Sequence, residues 1–113
     1  MATSMIKGIK TEVPAVSDFI TLESGWTCGA QEVVSVGNIM MMRFIAKYSG
    51  TWNSGIQNMI GTLKPAYRPH IACPLVSVAT TGIISPDGKA YARNVTGASL
   101  TNSDTTYTAI FIK

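Results

Sequence analysis

Histidine occurs once in this chain, at His70, and the carboxylates are Glu12, Asp18, Glu23, Glu32, Asp87 and Asp104. A Ser-His-Asp or Cys-His nucleophile would have to use His70. Cys73 lies three residues on, and on a strand that spacing turns the two side chains to opposite faces. Glycoside hydrolysis needs two carboxylates facing each other across a cleft, and no motif pairs any two of these. Asp87 belongs to a turn and Asp104 to a polar loop, where turn roles dominate. The 10 glycines never fall into Gly-x-Gly-x-x-Gly or P-loop spacing, so no phosphate cradle is written in the chain. Cys28 and Cys73 form no Cys-x-x-Cys pair, and with one histidine they supply no zinc set. Two buried free thiols are the favoured reading, with one disulfide between sheets as the rival. The chain is therefore expected not to be an enzyme and to use no cofactor or metal.

Binding is better provided for. Trp52 lies in the turn-rich loop Ser49–Gly55, next to Asn53. A sugar ring packs an apolar C–H face on an aromatic ring, and its hydroxyls need planar donors and acceptors such as Asn and Arg. Trp52 and Asn53 supply both kinds. The alternative is that Trp52 anchors its loop to the core or lies in a subunit interface. Arg68 and His70 flank Pro69 and are candidate ligand contacts, against the plainer reading of interface and surface residues. Arg93 could grip a phosphate or an acidic sugar in bidentate fashion, or be a solvated strand residue. Trp26 and Tyr67 read as packing residues. The run Met40-Met41-Met42 reads as one face in the core and the other in an oligomer interface.

These residues must be held by a single domain, because 113 residues suffice for one core and not for two. Hydrophobic residues make up 46% of the chain and charged residues 13%, against about 25% charged in a typical globular domain. So few charges imply that part of the surface is covered by a partner, most simply another copy. The formal net charge of +3 comes from scattered Lys and Arg, whereas a nucleic-acid footprint needs them clustered. No apolar run reaches membrane-spanning length, so neither nucleic acid nor membrane is an expected partner.

Residues 1–14 read as an N-terminal arm or linker without clear period, and 15–113 as the folded domain. Phe19–Leu22 is a short strand. Glu32–Tyr48 is extended and broken at Gly37-Asn38, with Met40, Met42, Phe44, Ala46 and Tyr48 on one face by the period of two. A helix over Asn38–Tyr48 is the rival reading. Pro65 and Pro69 brace a corner. Pro74 inside Ile71–Ala79 places that strand at an edge or a bulge. Pro86-Asp87-Gly88 is a hairpin signal, and Thr105–Lys113 alternates as the last strand. The loop Asn94–Asp104 has Val95 and Leu100 as expected anchors. The sum is an all-β antiparallel sandwich or barrel of about six to eight short strands.

The order Gly61-Thr62-Leu63, the Pro65-Ala66-Tyr67-Arg68-Pro69 corner, Pro86-Asp87-Gly88-Lys89 and the terminal Tyr107–Ile112 strand resembles one family. With Ile20–Trp26 and Val36–Met40 it is similar to the β-sandwich head domains of receptor-binding proteins on siphophage tail fibres and baseplates. Lys64 stands where that family usually has Pro, and Ala66 where it has Gly. The resemblance implies a homotrimer at the tail tip or baseplate of a virion, facing the medium. It implies adhesion to host cell-wall polysaccharide or teichoic acid, beside other tail or baseplate proteins. It fixes no binding motif, so Trp52, Asn53, Arg68, His70 and Arg93 are carried only as exposed loop aromatics and polar neighbours. The alternative is a structural tail, baseplate or capsid subunit making protein contacts alone.

Overall fold

Alternation in the sequence becomes strand almost everywhere. A computed structural model describes residues 8–113. Eleven strands form: β1 (Ile9–Glu12), β2 (Ile20–Leu22), β3 (Trp26–Val36), β4 (Ile39–Tyr48), β5 (Thr51–Trp52), β6 (Gln57–Leu63), β7 (Cys73–Val76), β8 (Thr80–Ile84), β9 (Lys89–Asn94), β10 (Leu100–Thr101) and β11 (Asp104–Ile112). A one-turn helix, α1 (Val16–Phe19), and a 3₁₀ turn at Pro65–Tyr67 complete the elements. Nine strands make one curled antiparallel sheet in the order β1-β3-β4-β11-β7-β8-β9-β6-β2, a half-barrel, while β5 and β10 pair separately. The strands beyond the expected number are short pieces such as β1, β5 and β10, too brief to leave a periodic signature.

The extended reading of 39–48 holds, since β3 and β4 form a long hairpin turning at Gly37 with φ of 58°. Met40, Met42, Phe44 and Ala46 are buried, and Ile39 and Met41 are exposed. Across β11 the same division recurs, with Tyr107, Ala109 and Phe111 inside and Ile110 and Ile112 outside. Phe44 stacks on Tyr107 with ring centroids 5.4 Å apart, and Phe19 meets both Phe44 and Tyr67. These rings line the concave side of the sheet and form the core.

The arm has a structure of its own. Ile9–Glu12 pairs with Val33–Val36 as an edge strand, and residues 1–7 lie outside the described residues. β2 forms the other edge. One side chain ties the two margins, since the Tyr67 hydroxyl, in the corner after β6, donates to Glu12 of β1 at 3.0 Å; at the β1 margin Gln31 Nε2 of β3 donates to the Pro14 carbonyl at 2.7 Å. Gln31 reaches inward because β3 bulges between Gly29 and Glu32, where Ala30 takes φ of 53°.

Pro74 does not sit on an edge strand. β7 lies between β11 and β8, pairs with β8 over its whole length, and meets β11 at Thr108↔Val76 alone. Continuing that register would set Pro74 opposite Ile110. A proline has no N–H to donate, so the ladder to β11 is reduced there to a single bridged pair within one continuous sheet. The thinned ladder does the work that an edge or a bulge was expected to do.

Candidate functional site

Trp52 occupies the core. The residue is 3% exposed, its indole N–H donates to the Ile56 carbonyl at 2.7 Å, and its ring meets Trp26 edge-on at 5.5 Å. No face of the ring is free to stack on a sugar. The expectation of an exposed loop aromatic is therefore corrected in favour of loop anchoring within one chain. Two glycine-flanked β residues, Thr51 and Trp52, pair with Leu100 and Thr101 and fold the indole inward.

The remaining expected contacts are dispersed. Asn53 is exposed, and its Oδ1 accepts from Ser99 at 3.0 Å. Arg93 is an exposed β9 residue opposite Gln57 at one end of β6. Arg68 Nε donates to the Leu63 carbonyl at the other end of β6, 2.8 Å away, where the side chain also packs over Gly88. Six residues of strand separate those ends, roughly 20 Å, so Arg93 and Arg68 do not face one ligand. His70 is exposed, and its backbone N–H donates to Ile112. It sits in a bend rather than a strand, so the opposite-face expectation fails, and His70 and Cys73 line the same groove. Burial pushes the Cys73 thiol up, away from the thiolate a nucleophile needs. Cys28 and Cys73 are both free thiols.

Asn94, the first residue of a glycosylation-like Asn-Val-Thr, is fully buried. Its amide donates to the Trp52 and Ala98 carbonyls and accepts from Thr96. This side chain holds the 95–99 loop, while Val95, expected to anchor it, is exposed. Leu100 does pack against the core.

A polar concavity lies at the corner end of the half-barrel. A cleft of about 270 Å³ is bounded by Lys10 and Glu12 of β1, Ser35 and Asn38 around the β3–β4 turn, Tyr67 of the corner, and Lys113. Lys10 Nζ stands 3.0 Å from Glu12 Oε1, and Tyr67 binds the other carboxylate oxygen. The Lys10 ammonium and then the Tyr67 hydroxyl hold the Glu12 carboxyl below its ordinary range. Burial first, and Glu12 second, push the Tyr67 phenol up. At neutral pH the cleft thus presents a carboxylate acceptor, two ammonium donors, an amide and a neutral phenol. That set suits a polyol carrying hydroxyls and acidic substituents.

Sequence reasoning reached the corner through Arg68 and His70, and the cleft there is lined by other side chains. Tyr67 was read as packing alone, and it packs on Phe19 while its hydroxyl faces Glu12. Lys10 and Glu12 were missed because β1 is too short to show a period. The signal available was the i, i+2 spacing of Lys10 and Glu12, which puts both on one face of any strand. No protein-family model matches the chain, and no curated protein matches it.

Proposed function

We propose that this chain is a host-adhesion domain of the phage tail-fibre or baseplate type, binding saccharides of a bacterial envelope such as cell-wall polysaccharide or teichoic acid. The observation that carries the reading is the corner cleft, where Lys10, Glu12, Asn38 and Lys113 surround a space of about 270 Å³. Saccharide recognition needs converging donors and acceptors rather than a nucleophile, and the cleft supplies those. The domain works as a homotrimer at the virion surface beside other tail or baseplate proteins. His70 and Arg93, both exposed, remain available for contacts outside the cleft.

A glycan array and labelled host-cell binding test the proposal, followed by titration of the best glycan. Lys10→Ala and Asn38→Ala are each expected to weaken binding about tenfold, roughly 1.4 kcal/mol, with the fold intact. A folded protein that binds no glycan and no cell overturns the reading. So does glycan binding indifferent to both substitutions, for the site.

The second reading, a structural virion subunit contacting only other proteins, is favoured by a different observation. The convex side of the sheet exposes Ile39, Met41, Ile110 and Ile112 together. Such a face suits protein partners and offers nothing to a sugar's hydroxyls.

A further inference from the structure

The convex face has relief as well as apolar character. Register places Val36, Ile39 and Ile112 in one row, and Val34, Met41 and Ile110 in the next. Ile110 and Ile112 are 59% and 63% exposed and stand along β11 as a ridge. Beside that ridge the ladder is thin, because β11 and β7 bridge at one pair. Two apolar grooves lie along this seam. One, of about 300 Å³, is lined by Pro74, Val76, Thr108, Ala109 and Ile110; the other, of about 270 Å³, is floored by Cys73 and Phe111.

We infer that this face packs against a second copy of the same chain, the β11 ridge of one copy seated in the β7–β11 groove of the other. Ridge and groove lie on one face, so two copies can each give and receive, as self-complementary surfaces do. Either groove is larger than a single isoleucine side chain. The rows contain no charge, which leaves a polyanion or a saccharide without a handle. The ion pair Arg43–Glu32, at 3.8 Å, borders the patch and carries both signs, so matched rims do not repel. A standard interface hides about 800 Å² per partner, and monomers rarely leave an apolar patch beyond a few hundred Å² open to water. Exposed Val36, Ile39, Met41, Val76, Ile83, Ile110 and Ile112 span five neighbouring strands on one face. A two-fold pair of this kind is a contact separate from the threefold assembly proposed above, and the inference does not depend on that reading or its ligand.

Sedimentation equilibrium of the full chain, from micromolar to sub-millimolar concentration, is the test. The wild type is expected at a multiple of the chain mass. Ile110→Glu on the ridge and Val76→Glu in the groove wall are each expected to weaken association more than about tenfold. Both side chains already face water, so circular dichroism and Tm should be retained. Thr101→Glu, on the separate two-stranded sheet, should leave the mass unchanged. A wild type that stays monomeric, whatever else binds the face, overturns the inference. An oligomer that survives both glutamates, or that Thr101→Glu dissolves equally, also overturns it. Glycan titration of the monomeric Ile110→Glu chain separates failure of this interface from failure of saccharide binding.

Discussion

Glu12 joins three roles in one side chain: a rung of the edge strand, the counter-ion of Lys10 and the acceptor for Tyr67. Its folded-state pKa is lowered, so its contribution to stability is present above its unfolded-state value and is lost as pH falls through the folded one. Water screens this partly open group, so the effect is small, on the order of tenths of a kcal/mol. Thermal unfolding followed across mildly acidic pH should show a shallower acid decline in Glu12→Gln than in the wild type. Equal slopes would mean that the carboxylate does not tie β1 to the corner. None of this was legible in the sequence, where residues 1–14 read as a linker. A polar strand of four residues carries no hydrophobic period, and its partner lies far along the chain. Trp52 failed for a related reason. Its flanking glycines announced a loop, and nothing local could tell that the loop doubles back to pair with Leu100–Thr101.

Single strands were far more legible than their neighbours. The period of two grouped residues by face along β4 and β11, and each grouping matches one side of the sheet, because both faces obey one rule over many residues. The Pro86-Asp87-Gly88 hairpin also formed as read, with Gly88 at φ of 90°. Pro74 was expected at an edge or a bulge, and the structure has neither, since β7 is an interior strand with a regular ladder to β8. That the ladder thins between two interior strands depends on β11, which the sequence around Pro74 does not mention. Close approach of strands makes a sharper demand at Gly82. A Cβ there would run into the Tyr91 carbonyl of β9, whereas at Gly29 it would meet nothing within 4 Å. Gly82→Ala should therefore cost about 1–3 kcal/mol or more, and Gly29→Ala should be neutral or stabilise by roughly 0.4–1 kcal/mol. Urea unfolding of the two variants decides it. Similar midpoints would show that β8 and β9 can separate to admit a methyl group.

At the scale of the molecule, the all-β antiparallel class was legible from composition and turn spacing, while the curl into a half-barrel was not. Curl follows from long-range register, and from margins tied by the Tyr67–Glu12 contact rather than by a ladder. Protection should follow that plan. Native-state hydrogen exchange is expected to be slowest in β4 and β11, which carry the buried aromatic stack, and fastest in the edge strands β1 and β2. Uniform protection across all strands would imply a barrel sealed more firmly than side-chain ties allow.

The place of β11 also sets a schedule. It is the last strand along the chain, yet it lies in the middle of the sheet, between β4 and β7. During synthesis, β1, β3 and β4 emerge as one group, and β2 and β6 to β9 as another. Neither has its central neighbour until β11 leaves the ribosome. The nascent chain must hold two incomplete sheets with their apolar flanks open, and join them in a single late event. Completion by a distant strand is slow, because loop closure precedes its reward. A stalled or shortened chain would present those flanks to its neighbours, and aggregation rather than partial function would be its fate.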